Sequence, residues 1–160
     1  MANEFPAPAS PMTVRVVTHL QPGEISDLCE VLIACVNDGA SLGFHAPLSR
    51  AIAQGWWERL PRPGVTLLVA EADGHLGGAV QLHAAESANG AHRVEIAKLL
   101  VHPAWRRRGV ASALMLAAEE VARGQGKRLI VLDTREGDPS NLLYASVGYA
   151  QGGRIPDWAR

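Results

Sequence analysis

The sequence predicts a mixed α/β domain, a central sheet with helices on both faces. Three observations predict it. Short β-branched runs alternate with turn signals, as in hairpins. A stretch of helical periodicity then separates one such run from an unbroken apolar one, the pattern of a crossover between parallel strands. No repeat or composition break divides the 160 residues, so a single domain is expected over 12–160.

Residues 1–11 hold three prolines among small residues and read as a flexible N-terminal tail. Thr13 to Thr18 is short and β-branched, a strand. Pro22 opens a helix whose Ile25, Leu28, Leu32 and Val36 recur at helical spacing, ending near Asn37-Asp38-Gly39. A second helix is predicted from Pro47 to Leu60, stopped by Pro61-Arg62-Pro63-Gly64. Val65 to Ala72 and Leu76 to Ala84 form a hairpin about Asp73-Gly74. After a turn at Ser87-Ala88-Asn89-Gly90, Arg93 to Val101 is the third strand of the meander. A helix follows over Arg108 to Gly124, striped by Val110, Leu114, Ala118 and Val121. Leu129 to Leu132 suits a buried parallel strand. A short helix over Pro139 to Val147 and a last strand near Tyr149 complete the order.

Composition excludes several classes. An apolar fraction of 48% with 19% charged residues argues against disorder. A net charge of −1 argues against a generally basic nucleic-acid binder, and no apolar run is long enough to span a bilayer. The first residues lack the basic and apolar parts of a signal peptide, so a cytoplasmic location is expected. Cys29 and Cys35 fall on different faces of one helix and read as small buried hydrophobes. No CxxC or HxxxH cluster occurs, so no metal is expected.

The sharpest chemical signal lies after the third meander strand. Arg106, Arg107 and Arg108 stand before Gly109, where a helix starts through Val110, Ala111 and Ser112. The free amides and dipole of a helix start make an anion site. A glycine lets a phosphate approach the backbone, and arginines pair with its oxygens in bidentate fashion. Neither the P-loop nor the dinucleotide glycine pattern is present. The competing reading is a solvated basic helix start.

Arg106-x-x-Gly109-x-Ala111, preceded by Leu99-Leu100-Val101-His102-Pro103, resembles the pyrophosphate signature of the GNAT superfamily of N-acetyltransferases. The element order fits that fold over nearly the whole chain. Gly39 to Phe44, Asn89-Gly90, Arg93 to Leu99 and Leu132-Asp133-Thr134 resemble, in order, segments of its tabtoxin resistance protein-like branch. The resemblance implies acetyl-CoA as co-substrate, with its pyrophosphate on the amides of Arg107 to Ser112. Its pantetheine arm would lie along the backbone of Leu99, Leu100 and Val101, beside a strand that usually carries a bulge, which the sequence does not reveal. It implies direct acetyl transfer to the amine of a small molecule, such as an amino-acid-like compound or a toxin or antibiotic. Protein N-termini or lysines are the alternative acceptors. A non-catalytic acyl-CoA-binding module is a second alternative.

Acetylating an amine needs a proton acceptor, because an alkyl ammonium titrates near ~10.4. Glu95 interrupts an apolar strand and Asp133 ends the next one. A carboxylate held between apolar neighbours should have a raised pKa. The resemblance implies that these two serve as bases. It also makes Tyr144 the acid for the leaving thiolate and gives the oxyanion to the Leu100 amide or a neighbour. Competing readings are a surface pair of Glu95 with Arg93 or Lys98, a loop cap at Asp133 and core packing of Tyr144. On the acceptor side, Phe44, Trp56 and Trp57 could wall a pocket and Ser41 could bind a polar group, with either tryptophan also suited to the core. Two departures from the family stand out. Gly137 replaces an asparagine that many relatives carry seven residues before the tyrosine. The sequence stops at Arg160, so the last C-terminal strand is expected to be missing, leaving an open sheet edge. Either the sequence is cut short or another chain, as in a homodimer, covers that edge.

Overall fold

The computed structural model describes residues 5–158. The ends of the predicted tail and of the chain, 1–4 and 159–160, lie outside them. Among the described residues five strands and four α-helices occur: β1 (Thr13–Val17), α1 (Pro22–Asn37), α2 (Arg50–Trp57), β2 (Val65–Ala72), β3 (His75–Ala84), β4 (Arg93–Val101), α3 (Val110–Gly124), β5 (Leu129–Val131) and α4 (Ser140–Ser146). They make one mixed sheet in the order β1-β2-β3-β4-β5. The first four strands are antiparallel, and β5 runs parallel to β4 after the α3 crossover.

Local chemistry accounts for the joints. Asp73 and Gly74 both have positive φ, 53° and 79°, as a two-residue hairpin turn requires. Glu24 accepts from the Gln21 amide at the start of α1, at 2.8 Å. The Ser49 hydroxyl accepts from the Ile52 amide, so α2 begins at Arg50 and not at Pro47. Alternation along the strands feeds two cores. One, with α1 and α2, contains Leu28, Leu32, Trp57, Leu67 and Ala79. The other, with α3, contains Leu68, Val80, Leu82, Val94, Ile96 and Leu114. Helices therefore cover both faces, as the sequence predicts.

Three details differ from expectation. The α3 helix begins at Val110 because Gly109, with φ 78°, stands outside helical geometry as its N-cap. β5 is parallel but half open: Leu129 and Val131 face solvent at 46% and 39% exposure, since among the described residues nothing packs on that side of the edge strand. No strand forms near Tyr149 among the described residues. Its amide closes the end of α4 on the Tyr144 carbonyl at 3.0 Å, and Gly148 turns the chain with φ 93°. Residues 5–11 form no helix or strand, yet they are anchored. The Trp105 indole donates to the Pro6 carbonyl at 2.7 Å, and Asp73 accepts from the amides of Ala9 and Ser10.

Candidate active site

β4 and β5 pair only over Arg93–Glu95 and Leu129–Val131, and beyond that they part. The parting coincides with a bulge. Against β3, Ala97 stands opposite Gln81 and Leu100 opposite Ala79, so β4 carries one extra residue. Lys98 sits in the bulge with φ 53°. Its effect shows in the packing: Val94 and Ile96 enter the α3 core, whereas Leu100 enters the α1 core. Past Glu95 the backbone of β4 thus borders a slot. Leu99 and Val101 are half-buried along it, and Leu100 is buried. The Val101 carbonyl is already engaged, accepting from Cys35 Sγ and Arg106 Nε, each at 3.3 Å.

The slot leads to the start of α3. Arg107 and Gly109 both take the left-handed conformation, with φ of 62° and 78°. The first amide bonded within α3 is that of Ala113, to the Gly109 carbonyl at 3.0 Å. The amides of Val110, Ala111 and Ser112 therefore precede the helical ladder, and no side chain of the N-cap residue covers them. A Cβ built on Gly109 would meet nothing within 4 Å. Arg107 and Arg108 are exposed, with Arg108 reaching the Pro8 carbonyl at 3.4 Å. Arg106 behaves differently from the expected phosphate ligand. Its guanidinium pairs with Asp38 at the end of α1 and also contacts Cys35.

Glu95 and Asp133 are both exposed, which corrects the expectation of carboxylates held between apolar neighbours. The two-residue period of β4 turns Val94 and Ile96 to one face and Glu95 to the other. Asp133 lies in the loop after β5. Lys98 links the two: its half-buried ammonium feels both carboxylates, which oppose the lowering of its pKa by burial. Asp133 also acts on Tyr144, a half-buried residue of α4 whose phenol is pushed up by burial and shares a hydrogen bond with Ser140. Glu95, Lys98, Asp133 and Tyr144 thus gather at the mouth of the slot.

Lys98 was readable as a site residue only through a flaw in periodicity. It follows Ile96-Ala97 and precedes Leu99-Leu100, where strict alternation fails. On the acceptor side, Lys98 Nζ donates to the Leu42 carbonyl at 2.6 Å, which brings the segment holding Ser41 and Phe44 to this mouth. Ser41 is exposed and Phe44 half-buried. Trp57 is a correction: it is fully buried in the core. Its neighbour Trp56, one helical step round, meets Phe44 edge-on with centroids 5.8 Å apart. Gly137 turns the chain before α4 with φ 81°. Both cysteines are buried and their thiols pushed up by burial, which disfavours thiolate. Two depressions, about 420 and 350 Å³, lie away from the slot, at Arg62, Thr66 and Lys127 and at Ser26, Arg50 and Glu58.

Residues 33–149 match the model of the acetyltransferase (GNAT) family. The chain is 35% identical over 153 residues to an uncharacterized N-acetyltransferase in the hisH-hisA intergenic region of Azospirillum brasilense, covering 91% of this chain and 89% of that one. Its fold is similar to yncA of Salmonella typhimurium, solved with its cofactor acetyl-CoA (TM-score 0.70, 22% identity, 87% of this chain and 79% of that one). It is also similar to AAC(6')-Iy in complex with a bisubstrate analog, CoA-S-monomethyl-acetylneamine (TM-score 0.68, 18% identity, 94% and 99%).

Proposed function

The chain belongs to the acetyltransferase (GNAT) family and is an N-acetyltransferase, and we propose that it moves an acetyl group from acetyl-CoA directly to the amine of a small molecule. One observation carries the reading. The slot between β4 and β5 joins an uncapped, arginine-flanked helix start at one end to an acidic mouth at the other.

The exposed arginines Arg107 and Arg108, with the amides from Gly109 to Ser112, suit a pyrophosphate. The open space at Gly109 suits its close approach. Along β4, the backbone of Leu99 and Leu100 suits an extended amide-bearing arm. Leu100 stands in a bonded pair with Ala79, in step with the His102–Gly77 bond, so the oxyanion donor is the amide of a neighbour, Leu99 or Val101. Glu95 and Asp133 take the proton that an acceptor ammonium must lose. The nitrogen then bonds to the thioester carbon, the C–S bond breaks, and Tyr144 gives the thiolate its proton. Burial of Tyr144 favours the protonated phenol that this role needs. No covalent enzyme intermediate is required, in keeping with two buried cysteines.

Acceptor size follows from the short Ser41–Phe44 segment facing the mouth, which suits an amino-acid-like or antibiotic-like amine more than a long peptide. The open β5 edge supports a homodimer. The test is a thiol-release assay over an amine library with wild type and Glu95→Gln. Expected are small-amine hits, equal CoA affinity for the two proteins and turnover roughly 10²–10⁴-fold lower in the variant. Acetylation of protein N-termini or lysines alone would reject the acceptor class, and full turnover in the variant would remove Glu95.

A further inference from the structure

We propose that His83 is the proton store of this site, a positioning residue that works through Glu95. Glu95 collects the proton lost by the acceptor ammonium and hands it to His83 Nδ1. The inference rests on the acetyl-transfer reading above and extends it.

Register supplies the first support. His83 on β3 and Glu95 on β4 are direct partners across the ladder. Directly opposed residues project from the same face, with Cβ atoms about 4.5–5.5 Å apart. Val94 and Ile96 occupy the α3 face, so this pair lies on the face that holds the Lys98 junction.

Hydrogen bonding supplies the second. Gln81, two residues before His83, is 1% exposed, and its Oε1 stands 2.7 Å from His83 Nε2. An amide oxygen only accepts, so Nε2 carries the hydrogen and the lone pair belongs to Nδ1. A glutamine is seldom so completely buried. Here it selects the imidazole tautomer that can accept a proton on the other nitrogen. Gln81 Nε2 has no protein partner, so His83 is its side chain's one anchor among the described residues.

Electrostatics is the third. Glu95 favours the imidazolium, while burial, Arg62 before β2 and Lys98 in the bulge favour the neutral ring. The balance leaves a neutral imidazole at rest beside a carboxylate that stabilises its charged form. Overall the ammonium gives up two protons. The first passes to Glu95 and then to His83 before the C–N bond forms. The second leaves the nitrogen as the C–S bond breaks and replaces the one Tyr144 gave to sulfur. His83 returns the first to solvent after product leaves.

Two experiments test this, one of which needs no acceptor. Long-range ¹H–¹⁵N spectra of the wild-type protein near neutral pH should show His83 as the neutral Nε2–H tautomer. An Nδ1–H tautomer or a charged ring there overturns the proposal. In turnover, His83→Gln should lower kcat/KM for the acceptor about 10²-fold. It should also remove the imidazole ionisation from the acid limb of the pH profile and leave the KM for acetyl-CoA unchanged. An unchanged acid limb and rate in His83→Gln, with Glu95→Gln slow, sinks the His83 role and leaves the acetyl-transfer reading standing. Full turnover in Glu95→Gln removes Glu95 and His83 together from the proton path, whereas no thiol release from any amine with the wild-type protein would sink the acetyl-transfer reading itself.

Discussion

The ammonium of Lys98 donates to the Leu42 carbonyl at 2.6 Å, joining the bulge of β4 to the loop that follows α1. The contact is close on both sides. A Cβ on Gly43 would come within 3.4 Å of Lys98 Nζ. The loop that carries Ser41 and Phe44 is therefore held by a residue of β4. Lys98→Met should raise the KM for the acceptor roughly tenfold while leaving that for acetyl-CoA alone, a difference of about 1.4 kcal/mol. Lys98→Arg, which keeps the donor, should recover part of it. Equal changes in both constants would show that the bond does not act on the acceptor side.

A second contact, between Gly77 and Trp105, seats the loop before α3. Trp105 is buried, and a Cβ on Gly77 would lie 1.8 Å from its ring. The Gly77 carbonyl also accepts from the His102 amide at 2.9 Å. Neither side can retreat without unseating the loop. Gly77→Ala should cost about 3 kcal/mol, the upper part of the overpacking range, read by urea denaturation. A cost under about 1 kcal/mol would mean that the indole moves freely.

The fold and the start of α3 were legible because their signals are local. Alternation, helical spacing, Asp73-Gly74 and Gly109 each act within a few residues. What escaped depends on how distant segments meet. The bulge is a mismatch between two strands and exists only in their register. Whether Trp56 or Trp57 faces Phe44 is set by one helical step of rotation. Arg106 pairs with Asp38, 68 residues away in sequence, so a motif arginine could not be told from a structural one. Glu95 and Asp133 were found as residue types, but their exposure follows from which face and which loop they occupy.

That division among the arginines gives a third prediction. Arg106 ties the end of α1 to the loop, whereas Arg107 and Arg108 are exposed beside the helix start. The double substitution Arg107→Ala and Arg108→Ala should weaken CoA binding about tenfold or more and flatten its salt dependence, with the urea midpoint unchanged. Arg106→Ala should lower stability by up to about 1 kcal/mol, as for an exposed ion pair, and change CoA affinity less. Calorimetric titration at two salt concentrations separates the cases. A larger affinity loss in Arg106→Ala would reverse the assignment.

Acid should loosen the fold through half-buried imidazoles. His102 caps the turn that precedes α3, its Nδ1 accepting from the Ala104 amide at 3.2 Å, a bond that a protonated Nδ1 could not make. Burial, joined by Arg106, lowers its pKa, and burial likewise lowers that of His83. A lowered folded value means that the unfolded chain takes up protons first as pH drops. The stability contribution is therefore whole above the unfolded value of about 6.5 and is lost as pH falls through the folded values. The urea midpoint should decline as pH falls below about 6.5. His102→Asn keeps an accepting oxygen at the cap and removes the titration, so its decline should be shallower than that of wild type. Parallel declines in the two proteins would show that the cap does not depend on the charge of His102.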